Sequence, residues 1–404
     1  MLILRRIPKF GGRPLSTFIR LSEQNEKIQN DCRLFAETEI ERVAAENDKL
    51  ARFPKEQIEQ LGQKGLMSAC IDKKYGGSGY DLLTFTLAVE ELSKCCASTG
   101  IIVSIHNCLY AELVQNFGTE QQINEFLVPL TKGNIGVFAL SEHADAGSDA
   151  ANLSTEAVLD GDCYILNGRK AWVTSGYEAK AGVFFAVTDK TKNHHGISAF
   201  LIPIDAPGVQ LGKREEKLGI RASSTCDIIL NDVRVPKENL IGSPGSGFKI
   251  AMQQLQLGRI GVAAQAIGIG RGAFELAVKY ARKRIVLGEK LADKQLVKAK
   301  LSEMATELEA ARLLLWKAAA VRDAGGDFRK LSSMAKLAAS QCATNNAHNC
   351  VQIMGAKGFV NGEAERFYRD SRITQIYGGA TDIQKMVIAD LVIKEAAAID
   401  DNLD

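Results

Sequence analysis

Between residues 136 and 235 the chain breaks into seven short β-branched and aromatic runs, whereas on both sides its apolar residues recur every three or four positions. The two periods belong to different elements, because side chains alternate across a strand but return to one face of a helix every 3.6 residues. The runs at 136–141, 151–159, 164–173, 182–188, 197–204, 209–213 and 225–235 therefore predict strands, with Gly-Asp, Asn-Gly and Asn-His-His-Gly turns among them. No helical pattern separates them, which argues against a parallel Rossmann sheet and predicts a small antiparallel barrel or sandwich.

The flanks read as helices. Ile28, Cys32, Phe35, Ala36 and Ile40 make one apolar face. Pro54 opens a second helix carrying Ile58, Leu61 and Leu66, and Asp81 caps a third that runs to Cys96 after the Gly76-Gly77-Ser78-Gly79 turn. Beyond Pro236, residues 247–284, 293–324, 329–354 and 381–398 predict four helices of bundle length, with Met304, Leu308, Ala311, Leu315 and Ala318 on one buried face. The expected class is α+β: an N-terminal helical domain at 23–134, a middle β domain at 135–237 and a C-terminal four-helix bundle at 238–404.

Composition narrows the function classes. A net charge of +2 with interspersed signs gives no electrostatic case for nucleic acid. No apolar run reaches the roughly 18–20 residues that membrane insertion needs; the longest candidate, 260–269, is interrupted by Gln265. The nine cysteines include no CxxC pair, so metal knuckles are unsupported and reduced, mostly buried thiols are expected. His106, His194, His195 and His348 lack metal spacing, and the glycines of 268–272 sit in a helical pattern, where they permit close helix packing. Before Glu23 the chain carries Arg5, Arg6, Lys9, Arg13 and Arg20 and no acid. That composition fits a mitochondrial transit peptide over 1–22, with a disordered basic tail as the alternative.

Several motifs, in order, resemble the acyl-CoA dehydrogenase family, closest to its short-chain and short/branched-chain members. They are Tyr75-Gly76-Gly77-Ser78-Gly79 with Asp81; Glu90-Glu91 before Ala97-Ser98-Thr99; Phe138-Ala139-Leu140-Ser141-Glu142 with Gly147-Ser148-Asp149; Asn167-Gly168 with Lys170-Ala171-Trp172-Val173-Thr174; Lys217-Leu218-Gly219-Ile220-Arg221; and Ile376-Tyr377-Gly378-Gly379-Ala380-Thr381-Asp382-Ile383-Gln384. The resemblance implies that family's three-domain fold, an FAD cofactor and α,β-desaturation of a short or branched acyl-CoA thioester. It further implies electron transfer to electron-transfer flavoprotein, a homotetramer, and a mitochondrial-matrix location.

Carried over by motif, the cofactor contacts are Phe138, Leu140, Ser141, Gly147, Ser148, Trp172, Val173, Thr174, Arg284, Leu287, Gln295, Gln352, Ile353, Gly355, Ala380, Thr381 and Asp382. Trp172 would lie along the flavin ring, with Ser141 and Thr174 at its edge, and Arg284 and Gln295 would reach the pyrophosphate and adenine of a neighbouring subunit. Ser148, Gln256, Gly258, Arg259 and Gly379 would face the acyl-CoA.

The catalytic position departs from the family pattern. Most members carry the base as Glu directly after the Tyr, where this chain has Gly378. Others carry it before the Arg of a Leu-x-x-Glu-Arg run, here Leu255-Gln256-Leu257-Gly258-Arg259. An α-proton beside a thioester is only weakly acidic, so a positioned carboxylate and carbonyl polarisation must act together. Gly378 keeps the backbone N–H that polarises the carbonyl and lacks the carboxylate. Three readings stay open: a base relocated to Asp382 or Glu363, a protein that binds FAD and acyl-CoA without oxidising the thioester, and a variant of an active enzyme with Glu replaced at 378. Further departures are His143 for Pro, a longer 142–147 loop, Gln256 for Asp, Leu287 for Phe, Ala356 for Gly and Ala380 for Thr.

Overall fold

A computed structural model describes residues 21–143 and 147–400. The transit-peptide expectation over 1–22 falls almost wholly outside the described residues, as does the middle of the 142–147 loop.

The N-terminal helices are α1 (Glu23–Phe35), α2 (Glu41–Leu50), α3 (Lys55–Gln63), α4 (Leu82–Cys95), α5 (Ala97–Ile105), α6 (Glu112–Phe117) and the single turn α7 (Glu120–Gln122). Ser22 starts α1 with a capping box shared with Asn25, and the Asp81 carboxylate caps α4 by accepting from the Thr84 N–H at 2.7 Å. Almost every residue of α4 is buried, because it packs against α1 and two later helices. Its two interior acids are matched accordingly: Glu90 and Glu91 take Arg271 at 3.0 and 2.9 Å, Glu90 takes Arg312 at 2.8 Å, and Glu91 takes Arg33 at 2.9 Å. Between α5 and α6 the helix widens into a π segment at His106–Ala111.

The middle strands are β1 (Ile135–Ala139), β2 (Glu156–Asp160), β3 (Cys163–Thr174), β4 (Ala179–Val187), β5 (Ile197–Pro203), β6 (Val209–Arg214), β7 (Thr225–Pro236) and β8 (Leu240–Ile241). They form one sheet in the order β6-β7-β3-β2-β4-β5-β8, with β1 alongside β4. The sheet is mixed and not closed as a barrel: β1 and β2 both pair with β4 in parallel, and the remaining pairs are antiparallel. The parallel pairs were not legible because β1 and β2 reach β4 across intervening strands, with no crossover helix pattern to announce them. Asn167-Gly168 is not a turn but a bulge inside β3, where Gly168 has φ +153° and a Cβ would fall 2.7 Å from Thr155 Cα.

The C-terminal part comprises α8 (Gly247–Lys283), a short hairpin of β9 (Ile285–Val286) and β10 (Glu289–Lys290), α9 (Gln295–Asp323), α10 (Arg329–Met354), α11 (Ala356–Phe359), α12 (Glu363–Ile373) and α13 (Thr381–Asp400). Helix α8 is the axle of the molecule, packed on α4 and α5 on one side and on α9, α10 and α12 on the other. Glycine makes that closeness possible. A Cβ at Gly268 would lie 2.5 Å from the Glu90 carbonyl oxygen, and one at Gly272 would lie 2.9 Å from that of Lys94. Among the described residues, no helix is long and apolar enough to cross a membrane, and all nine cysteines are free.

Candidate active site

After α12 the chain turns back through Tyr377–Ala380 into α13. Gly378 and Gly379 have φ of +64° and +86°, a left-handed pair that side chains disfavour. Two buried side chains hold the turn from below. Gln384, in the first turns of α13, donates its amide to the Gly379 carbonyl at 2.9 Å and to that of Gly378 at 3.3 Å. Lys336 of α10 donates Nζ to the Gly379 carbonyl at 2.7 Å. Both side chains are fully buried. Burial, with Arg259 nearby, pulls the Lys336 ammonium down to about 8. Arg259 itself donates to Ser333 Oγ at 3.0 Å, its buried Nε has no partner among the described residues, and its burial lowers its pKa.

The turn abuts the face of α8 that looks at α5 and the π segment. Among the described residues, a Cβ placed on Gly378 would meet one atom within 4 Å, Val262 Cγ2 at 3.1 Å. One turn earlier on α8, a Cβ on Gly258 would meet Leu109 Cδ2 at 2.8 Å. Beyond Val262 the apolar wall ends at Gln265, fully buried, whose Oε1 accepts from the Tyr377 hydroxyl and whose amide donates to the Ala97 carbonyl at 2.9 Å. Burial pushes the Tyr377 phenol up, so it stays a hydrogen-bond donor.

A second constellation lies where β1 and β3 end. Trp172 has φ +60° at an irregularity in the β3–β7 register, and the residue is 56% exposed. A tryptophan is rarely left so open at the end of a sheet strand; here the backbone turns it outward beside Val173 and Thr174. Below it the Lys170–Glu142 ion pair, at 2.7 Å and with both side chains buried, locks the two strand ends together. Lys170 also donates to the Leu140 carbonyl at 3.2 Å, and the Ala171 N–H to that of Ser141 at 2.8 Å. Burial opposes the Glu142 charge, but Lys170 and hydrogen bonds from Ser154 and Thr155 together hold its carboxyl at about 2. Burial outweighs the pairing at Lys170 and brings it to about 8. His143 hydrogen-bonds Asp227 at 2.9 Å and stands edge-on to Trp172 with ring centres 5.5 Å apart. Phe138 packs on Phe185 at 5.0 Å, and Leu140 is buried.

The sequence matches the acyl-CoA dehydrogenase N-terminal domain over residues 22–134, the middle domain over 137–233 and the C-terminal domain over 245–393. The chain belongs to the acyl-CoA dehydrogenase family. It is 49% identical to the mitochondrial short-chain specific acyl-CoA dehydrogenase of Rattus norvegicus over 92% of this chain and 90% of that protein. It is 43% identical to the short-chain specific enzyme of Clostridium acetobutylicum over 93% of this chain and 99% of that protein. Its fold superposes on butyryl-CoA dehydrogenase from Megasphaera elsdenii with a TM-score of 0.91, at 39% identity and covering 93% and 100% of the two chains.

Other positions expected from the acyl-CoA dehydrogenase pattern are scattered in a single chain. Gly147 and Ser148 are exposed, in a helical turn after the undescribed loop residues. Arg284, Leu287 and Gln295 are exposed around the β9–β10 hairpin, Leu287 to 91%. At 1.5 Å per residue, Arg284 lies about 39 Å along α8 from Gly258, so one chain does not gather them into one small site. Gln352 and Gly355 end α10, with Gly355 at φ +61° and open space where a Cβ would be. Ile353, inside α10, is buried. Gln256 is half-buried and Gly258 buried on α8. Ala380 and Thr381 are half-buried, and Thr381 bonds back to the Gln375 carbonyl at 3.0 and 3.2 Å.

The two acids considered for a relocated base stand apart from the turn. Asp382 is 88% exposed at its side chain and faces Lys385 at 3.5 Å. Glu363 is exposed and begins α12. Lys336, Gln265 and Gln384 are the site residues that sequence reasoning missed. A lysine and two glutamines inside apolar helical faces were the available signal.

Proposed function

We propose that this chain binds FAD and a short acyl-CoA thioester in the family's manner, and that its desaturation of the thioester is weak or absent. The observation that carries the reading is Gly378: a backbone N–H on a firmly tied left-handed turn where, among the described residues, one methyl group and no carboxylate lies within 4 Å of where a Cβ would start. Loss of general-base help costs on the order of 10²–10⁴ in rate, or about 3–5 kcal/mol. The Gly378 N–H would still polarise the thioester carbonyl.

The donor set at the other constellation suits a flavin. Trp172 offers a bare aromatic face, with Ser141, Val173 and Thr174 supplying backbone and hydroxyl groups at its edge. FAD, when bound, supplies the hydride acceptor. The chain's own part is to stack Trp172 along the ring, hold the strand ends rigid through Lys170 and Glu142, and keep water from the turn. The exposed Arg284 and Gln295, far along α8 from Gly258, support a homotetramer in which a neighbouring subunit uses them for the pyrophosphate and adenine. Phe138, Leu140, Gly147, Ser148, Leu287, Gln352, Ile353, Gly355, Ala380, Thr381 and Asp382 fill the remaining cofactor positions in this reading. Ser148, Gln256, Gly258, Arg259 and Gly379 fill the acyl-CoA positions. The Tyr377–Gln265 bond supports a short acyl group, because it places polar atoms across the apolar wall beside Val262.

Electron-transfer flavoprotein is the expected acceptor for any residual turnover. A mitochondrial-matrix location is supported by the Arg-rich start and by the mitochondrial rat relative. The exposure of Asp382 and Glu363 counts against a relocated base. The changes at 143, 256, 287, 356 and 380 count against a single replacement in an otherwise ordinary enzyme. That leaves binding without turnover, as a sensor or as the inactive member of a mixed oligomer, as the second reading, favoured by how firmly the base-free turn is held. Anaerobic addition of acyl-CoA to the FAD-loaded protein separates the two. Slow bleaching of the flavin band means residual chemistry, and a spectral shift alone means occupancy.

A further inference from the structure

We propose that Lys336 is a positioning residue for the acyl-thioester carbonyl: by donating to the Gly379 carbonyl oxygen it fixes the left-handed glycine pair and so the direction of the Gly378 N–H. The inference rests on the reading above, in which that N–H receives the thioester oxygen.

Lysine is almost never fully buried unless paired with an acid. Lys336 is fully buried, and among the described residues its hydrogen bond goes to a backbone carbonyl at 2.7 Å. The charged group that bears on it is Arg259, a like charge reaching over from α8. Such an arrangement opposes stability, so its benefit lies in what it orients. Two consecutive glycines are the most mobile dipeptide a chain can present, yet every flank of this one is tied. Tyr377 is anchored by its N–H to the Ile373 carbonyl at 3.1 Å and by its hydroxyl to Gln265. Among the described residues the Gly378 carbonyl is held by the longer Gln384 bond alone, at 3.3 Å, and Lys336 supplies the shortest tie on Gly379. Position 379 favours glycine, since its φ is +86° and a Cβ there, 2.4 Å from Gln384 Nε2, would push that amide off the carbonyls it holds. Among the described residues, the Gly378 N–H has no acceptor. A free donor on a turn tied at each neighbouring peptide is what carbonyl polarisation requires.

The test uses the full-length FAD-loaded protein and a chromophoric aryl-acryloyl-CoA thioester, whose absorbance moves to the red as its carbonyl is polarised. Lys336→Met is expected to keep its flavin spectrum, to bind the thioester about tenfold more weakly and to lose at least half of the red shift. Lys336→Arg, which keeps a charged donor, is expected to recover part of it. An unchanged red shift in Lys336→Met overturns the proposal. If that variant fails to load flavin, the wild-type protein carries the test through pH. The red shift should fall as pH rises through about 8, where the ammonium becomes a weaker-donating amine. Arg259 stays charged there, and the Tyr377 phenol is pushed up out of range. A shift independent of pH from about 7 to 9.5 then contradicts the proposal. A wild-type protein that gives no red shift at any pH contradicts instead the reading that the thioester docks at Gly378.

Discussion

The Tyr377 hydroxyl donates to the side-chain oxygen of Gln265, and the Gln265 amide is held in turn by the Ala97 carbonyl at 2.9 Å. One residue of the glycine turn is thereby tied through the middle of α8 to the start of α5. In the proposed reading, the same bond sets polar atoms on the path of an elongating acyl chain.

Gln265→Ala should lengthen the accepted acyl chain. It removes the polar stop, frees the Tyr377 hydroxyl, and costs about 1–3 kcal/mol for the bonds left unmade. Affinities for a series of saturated acyl-CoA thioesters, read from the flavin spectrum, should move their optimum by two or more carbons. An unmoved optimum places the floor elsewhere.

The Glu142–Lys170 pair should dominate acid stability near the flavin position. The Glu142 carboxyl is held at about 2, against an ordinary 4.5. Between these values the unfolded chain binds a proton that the native chain does not, so the stabilisation is complete above about 4.5 and lost as pH falls toward 2. Glu142→Gln leaves Lys170 buried and unpaired, at a cost of about 3–5 kcal/mol. Urea midpoints should separate wild type from variant widely at pH about 7 and by clearly less at pH about 3, where part of the stabilisation has gone. Parallel curves at both pH values would show that the pair is not the source.

Gly258→Glu tests whether a carboxylate can act from α8. Its Cβ would approach Leu109 Cδ2 at 2.8 Å, the far end of a flexible side chain that can turn away. Flavin bleaching by acyl-CoA should rise above that of the wild type, and rise further when Leu109→Ala clears the contact. A variant that binds the thioester but bleaches no faster, with or without Leu109→Ala, rules out attack from that side.

The architecture was largely legible because its elements are long and strongly patterned. The four bundle helices fall within two or three residues of the expected bounds, since 3.6-residue periodicity persists over each. Asp81 was readable as a cap because its acceptor satisfies an otherwise orphan N–H. The parallel placement of β1 and β2 against β4 was not readable, because strand pairing is a long-range choice that alternation leaves open. At the candidate site, the glycine at 378 was visible in one line of sequence. Its supports were not: Lys336 and Gln384 reach the neighbouring Gly379 carbonyl across 43 and 5 residues, and no local spacing announces such a bond.

Gly378→Glu is the most direct measurement. A left-handed φ costs a side chain about 1–2 kcal/mol, and Val262 must yield a few tenths of an ångström, so the variant should fold and load FAD. Stopped-flow mixing with a short saturated acyl-CoA under anaerobic conditions should then show flavin bleaching at least ~10² faster than in the wild type, with thioester affinity little changed. A wild-type protein that already bleaches rapidly, and gains nothing from the carboxylate, would show that proton abstraction never depended on position 378.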